Sequence, residues 1–232
     1  AASDVYKRQA SLLFTACTTA DEEPTTGTEI QYETPTDTTL SGDYTDTNIL
    51  LTADKTWYIQ GRAAFLGESN LKIEAGTTIA GFEGTGPNTS YLVISKDAKI
   101  HAEGTAAKPI IFTSYDAVEG YPESKGQWGF LVIIGKAGNR QVSPFIGDSQ
   151  FSTCSDGVEG GCAAEANHSS GTLRYVEIRN AGSAIHQGND FNSLNFVGVG
   201  SGTTVDHLKV VNAAYDCLAV WGLSLIHISE PT

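Results

Sequence analysis

Short runs of β-branched, aromatic and leucine residues, separated by Gly, Asn, Asp and Ser, recur along this chain from about Asn48 onward. No amphipathic stretch of helical period and useful length lies among them. The runs are Trp57-Tyr58-Ile59, Leu71-Lys72-Ile73, Tyr91-Leu92-Val93-Ile94, Pro109-Ile110-Ile111-Phe112 and Phe130-Leu131-Val132-Ile133-Ile134. Leu173 to Ile178, Leu194-Asn195-Phe196 and Val205 to Val211 follow. With Leu71, Leu92, Ile111 and Leu131 as markers, the steps are 21, 19 and 20 residues. A recurrence of that size marks a solenoid, in which each coil cannot bury its apolar face alone and stacks on its neighbours.

Strand-forming coils predict an all-β parallel β-helix. Each strand lies beside its equivalent in the next coil, so alternate residues stack inward while those between face water. Leu71 and Ile73 fit inward positions with Lys72 outward. Leu173, Val176 and Ile178 fit inward if the strand bends near Tyr175, which turns Arg174, Glu177 and Arg179 outward. Glycines in Glu74-Ala75-Gly76-Thr77-Thr78 and Ala102-Glu103-Gly104-Thr105 suit sharp corners.

The order of these segments is also characteristic. Leu71-Lys72-Ile73-Glu74-Ala75-Gly76-Thr77-Thr78-Ile79 precedes Ile100-His101-Ala102-Glu103-Gly104-Thr105-Ala106-Ala107-Lys108-Pro109-Ile110-Ile111-Phe112-Thr113-Ser114. Gly126-Gln127-Trp128-Gly129, Gly171-Thr172-Leu173-Arg174-Tyr175-Val176 and Val199-Gly200-Ser201-Gly202-Thr203-Thr204-Val205-Asp206-His207 come next. This series resembles a family of bacterial surface or secreted proteins with right-handed parallel β-helix domains, over nearly all of 48–222. The resemblance implies a right-handed parallel β-helix, here a solenoid of roughly 20-residue coils. The chain departs from the family pattern at Tyr215-Asp216-Cys217-Leu218, where relatives usually carry an Asp-Gly pair.

Both termini read differently. Residues 1–9 and 223–232 resemble translated sequencing-adapter read-through and are set aside, so His227 has no functional weight. The protein is expected to continue beyond Gly222, the β-helix being truncated at its C-terminus. Lys7 and Arg8 would otherwise suit the basic start of a signal peptide. Residues 10–17 resemble a partial lipoprotein signal peptide, in which Ser11-Leu12-Leu13-Phe14-Thr15-Ala16-Cys17 matches the lipobox, with Phe14 where Leu is usual. That resemblance implies cleavage before Cys17 and acylation of Cys17. The competing reading makes Leu12 to Phe14 ordinary core and Cys17 a buried thiol. Residues 18–47, rich in Thr, Asp and Glu, read as a flexible acidic tether. Asp21-Glu22-Glu23 resembles the signal that sends some outer-membrane lipoproteins to the cell surface.

The formal net charge is −13. A field of that sign disfavours nucleic acid and anionic lipid. No apolar run approaches the roughly 20 residues that cross a bilayer, so contact with membrane is expected only through the lipid anchor. Cations, neutral glycans or surface proteins are the better partners; oligomeric state is left open.

The interval from Leu131 to Leu173 holds a loop inserted around 136–170. Within it, Cys154 and Cys162 are expected to form a disulfide, which an exported protein permits. A metal site is the competing reading, but a second cysteine pair or a spaced histidine is missing. Cys217 is expected to be a buried thiol.

Polysaccharide lyases and hydrolases often use this fold. A lyase would need carboxylates to hold calcium against a uronate, for which Asp190, Asp206 and Asp216 are candidates, and a basic residue to remove a proton. Arg174, Arg179, His207 and Lys209 lie on or near the same late strands. A hydrolase would need two carboxylates, for which Glu177 and Asp206 are the nearest pair. Arg179, Asp206 and Glu177 are therefore the catalytic candidates. Alternating charges on outward strand positions are also what a solvated β-surface shows, with Arg–Glu pairs fixing register, and that is the reading we expect. His101 is read as a corner or surface residue, and His168 and His186 as loop residues. Trp57, Trp128 and Trp221 would make a sugar platform if exposed, with Trp128 expected to pack instead. Gly84-Thr85-Gly86 and Gly198-Val199-Gly200 precede no helix that would bind phosphate. The sequence thus predicts a non-enzymatic surface scaffold for adhesion or glycan contact, with a polysaccharide lyase or glycoside hydrolase as the alternative.

Overall fold

The computed structural model describes residues 29–138, 151, 153–154, 162–183, 185 and 191–223. The chain divides into Ala1–Ile30 and Gln31–Thr232, and among the described residues the strands lie in the second unit. The strands are β1 (Thr39–Thr45), β2 (Asn48–Leu51), β3 (Thr56–Leu66), β4 (Asn70–Ile73), β5 (Thr78–Gly81), β6 (Tyr91–Ile94) and β7 (Lys99–Glu103). They continue as β8 (Ile110–Ser114), β9 (Leu131–Ile134), β10 (Gly171–Arg179), β11 (Leu194–Val199), β12 (Thr204–Val211) and β13 (Leu218–Leu223). A five-residue helix α1 (Tyr115–Glu119) follows β8.

Every strand ladder is parallel, and the ladders sort into three faces of a β-helix. The first stacks β2, β4, β7 and the opening halves of β10 and β12. The second stacks the start of β1, the start of β3, β5, β8 and the closing halves of β10 and β12. The third stacks the ends of β1 and β3, then β6, β9, β11 and β13.

Long strands serve two faces by bending. Gly61, at φ +62°, lets β3 turn from the second face to the third. In β10 and β12 the same left-handed bend falls on Tyr175 (φ 48°) and His207 (φ 50°), which carry the chain from the first face to the second. The bend expected near Tyr175 therefore exists. It leaves Leu173, Val176 and Ile178 inside and Arg174, Glu177 and Arg179 on the outer side.

The recurrence of about 20 residues has a different origin from a coil length. Leu71 lies on the first face, Ile111 on the second, and Leu92 and Leu131 pair on the third. Stacked positions are 22 residues apart from Asn48 to Asn70, 66 from Ser114 to Asn180 and 32 from Glu177 to Lys209. The markers sampled faces, and insertions at the corners make the coils unequal.

The interior is one cluster that includes Leu40, Trp57, Phe65, Leu71, Phe112, Trp128, Leu131 and Phe196. A second cluster lies outside the third face, where Ala64, Val93, Val132, Ile134 and Val197 are covered by Tyr91, Phe130, Phe151, Ile185 and Phe191. Strands buried on both sides need no polar alternation. That is why β6 and β9 read as the unbroken apolar runs Tyr91–Ile94 and Leu131–Ile134.

Residues Thr39–Thr45, which lie in the stretch expected to be a tether, form a strand. There β1 pairs with β3, Leu40 is wholly buried and Tyr44 stacks on Phe65 at 4.8 Å. One buried leucine and one stacked ring suffice to order a Thr-rich strand against an existing edge. At the other end, β13 includes Leu223, the first residue of the segment set aside. Residues 1–17, with the signal-peptide match and Cys17, lie outside the described residues.

Candidate functional site

The charged residues singled out on the late coils come together because β10 and β12 are in register from Thr172–Thr204 to Arg179–Val211. Register sets Arg174 beside Asp206 and Glu177 beside Lys209. Glu177 accepts hydrogen bonds from Lys209 Nζ at 2.6 Å and from an Arg179 terminal nitrogen at 2.9 Å. Its side chain is only 10% exposed, against 63% for Lys209. The hydrogen bond from Arg179 holds the Glu177 carboxyl below the usual range against the opposing effect of burial, and Lys209 adds to it. Glu177 in turn raises the already high pKa of the Arg179 guanidinium.

Asp206 is engaged on both oxygens, with Arg174 Nε at 3.4 Å and His207 Nδ1 at 2.7 Å. The His207 ring stacks on Tyr175 with centroids 4.1 Å apart. The two bend residues thus lie ring on ring at one corner. At the far end of these strands Asn180 and Asn212 both adopt left-handed backbone, and Asn212 Nδ2 donates to Asn180 Oδ1 at 2.7 Å. Asn180 Nδ2 donates to Ser114 Oγ at 3.2 Å and to Glu123 Oε2 at 2.7 Å, tying three coils together.

This arrangement constrains chemistry. A general acid needs a carboxyl whose pKa is raised toward neutrality. Glu177 is shifted the other way. A proton-abstracting base must give up its own proton first, and Arg179 holds its proton more tightly than a free guanidinium. Of the calcium candidates, Asp206 is bound to a cation and an imidazole, Asp216 is exposed in the turn between β12 and β13, and Asp190 lies outside the described residues. Among the described residues no group of three His, Cys, Asp or Glu side chains is placed to hold a metal ion.

Other expected residues are placed as follows. Cys154 and Cys162 form a disulfide with Cα atoms 4.9 Å apart. Cys217 is exposed rather than buried, because it sits in the turn leading into β13, outside the stacked ladder. His101 lies on β7 with Nε2 3.4 Å from Asn70 Oδ1, and burial lowers its pKa. His168 is half-buried against Lys136 N, and His186 lies outside the described residues. Trp57 and Trp128 are wholly buried, and Trp221 packs partly buried against the second cluster, so no tryptophan platform forms from the first two. Trp128 Nε1 donates to Arg179 O at 2.7 Å.

A different group of rings is partly exposed. Tyr58, Phe82 and Tyr115 come from three coils and meet on the outer side of the second face. The legible signal was Tyr58 between inward Trp57 and Ile59. Its partners were not legible, since they depend on coil register.

Comparison with known families matches residues 42–225 to the family described as a pectate-lyase-like β-helix domain. Comparison with curated proteins gave no match, and comparison with solved structures gave none.

Proposed function

The chain belongs to the pectate-lyase-like β-helix family, and from that premise we propose that it is a non-catalytic β-helix scaffold that contacts glycans at the cell surface. The observation that carries this reading is the engagement of Glu177 by Arg179 and Lys209. Glu177 is held ionised, against a general-acid role, Arg179 is held protonated, against a base role, and with Lys209 they satisfy one another as cross-strand pairs do. The family's name points to enzymes of an acidic polysaccharide, which supports a glycan as the class of partner. The lipobox-like Ser11 to Cys17 and the acidic Asp21-Glu22-Glu23 support export and attachment through acylated Cys17 to the outer membrane, facing outward.

The family match also favours a second reading, a polysaccharide lyase or glycoside hydrolase. A glycan array scored for both binding and turnover separates the two. Binding without release of unsaturated or reducing ends supports the scaffold. Release of such ends by the full chain, with or without added calcium, overturns it in favour of the enzyme.

A further inference from the structure

We propose that Tyr58, Phe82 and Tyr115 form a sugar-stacking patch on the outer side of the second face, selective for neutral glycans over uronates. This rests on the glycan-contact reading above and names its site.

The rings arrive from successive coils. Tyr58 points outward from β3 between the inward Trp57 and Ile59. Phe82 directly follows β5, and its backbone N–H donates to Ile59 O at 2.9 Å, so it lies one rung along from Tyr58 and diagonal to it. Tyr115 opens α1 immediately after β8, one rung further on. Phe82 lies 4.7 Å from Tyr115 and 5.6 Å from Tyr58, centroid to centroid, and Tyr58 lies 5.9 Å from Tyr115. All three are partly exposed, and Tyr121, just past α1, is 60% exposed.

Inward positions of these strands already carry Trp57, Ile59, Ile79 and Phe112, so the outer rings add nothing to the interior. Beneath them Ala80, in register with both Tyr58 and Thr113, is fully buried. Small residues at the floor and three rings whose centroids lie within 5.9 Å of one another make a compact patch, the footprint of about one sugar ring. Aromatic faces and edges receive the C–H faces of a pyranose, and tyrosine hydroxyls bond its hydroxyls.

Charge sets the selectivity. The charged residues flanking Phe82 and Tyr115 are Glu83, Asp116 and Glu119, all acidic. Glu119 lies close enough to push the Tyr115 hydroxyl pKa up, and Asp116 already accepts from Gln127 Nε2 at 2.8 Å. Carboxylates accept hydrogen bonds from neutral sugar hydroxyls and repel a uronate. A net charge of −13 reinforces the discrimination.

The test titrates the full chain with neutral oligoglucan, oligomannan and oligogalactan pentasaccharides and with oligogalacturonate, following aromatic proton shifts and affinity. The expected result is binding of at least one neutral oligosaccharide with shifts at Tyr58, Phe82 and Tyr115. Phe82→Ala and Tyr115→Ala should each weaken it about tenfold, the scale of one aromatic contact, while Tyr115→Phe retains most of it. Thermal melts of each variant check folding, and the ring shifts of the unsubstituted chain locate the site where a variant fails to fold. Neutral binding without shifts at these rings and unaffected by the substitutions overturns the patch and leaves glycan contact standing. Binding of oligogalacturonate alone overturns the selectivity. Binding of no glycan by the folded chain overturns both.

Discussion

Lys209 Nζ donates to Glu177 Oε1 at 2.6 Å across one coil boundary, and β10–β12 register sets the two residues directly opposite. With Arg179 bound at 2.9 Å from its own strand, one carboxylate joins two cations at the outer surface. Such a pair fixes register more than it adds stability, since a one-residue slip would set Glu177 opposite an apolar neighbour.

Glu177→Gln should therefore lower stability by about 1.5–3 kcal/mol, the range for hydrogen bonds to charged groups. Because Glu177 is more acidic folded than unfolded, its contribution is fully present above the ordinary glutamate range and is lost as pH falls through the lowered pKa. Denaturant melts from pH 7 down to pH 3 should show the difference between the two proteins shrinking with acidity. A constant difference would refute the ion pair as its cause.

Asn180 combines a left-handed backbone with hydrogen bonds to Ser114, Glu123 and Asn212. Asn180→Ala loses both the bonds and the conformational tolerance, whereas Asn180→Gly loses only the bonds. The alanine variant should be the less stable by about 1–2 kcal/mol, the cost of the left-handed region for a residue with Cβ. Equal melting temperatures would show that the backbone relaxes at this corner.

The strands were legible where local pattern decides them. Alternation marks Leu71 and Ile73, and unbroken apolar runs mark Tyr91–Ile94 and Leu131–Ile134 because a second layer covers that face. Face and coil length were not legible. They depend on insertions at corners and on the left-handed bend at His207, whereas the bend at Tyr175 was legible from the break in alternation between Leu173 and Val176. Glu177, Arg179 and Asp206 were found as residues, but their pairing required the 32-residue step to the next coil. The disulfide was legible, since Cys154 and Cys162 are only eight positions apart and few other partners exist. The ring cluster was not, because each ring sits in a different coil.

Trp128 is wholly buried, stacks near Phe112 with centroids 6.5 Å apart and donates Nε1 to Arg179 O. Trp128→Ala should cost about 3–5 kcal/mol through the cavity it leaves and the carbonyl it abandons. For a domain of this size that is a fall of about 2–4 °C in Tm per kcal/mol. Calorimetry checks it, and a shift of only a degree or two would contradict the packing described.

Removing the disulfide should act locally. Cys154→Ser with Cys162→Ser opens a loop of eight residues' separation, and chain entropy assigns such a loop about 2–3 kcal/mol. Cys154 is buried, and neighbouring Thr153 Oγ1 donates to Gly135 O at 2.6 Å just after β9. Loss of the bridge should therefore raise proteolytic cleavage between β9 and β10 while the interior strands keep their protection. Global unfolding of the double variant would place the bridge in the main cooperative unit.

Hydrogen exchange should grade along the solenoid. Among the described residues β12 pairs on one edge only, with β10, and its inward Val205, Leu208 and Val210 are partly buried. By contrast β6 and β9 pair on both edges, and Leu92, Val93, Leu131 and Val132 are wholly buried. Amides at an open edge exchange by fraying, without opening of the whole domain. Those of β12 should exchange faster than those of β6 and β9 in a monodisperse monomer, with the gap persisting as denaturant is added until global unfolding takes over. Equal protection at low denaturant in that monomer would mean that β12 is not an edge strand in solution.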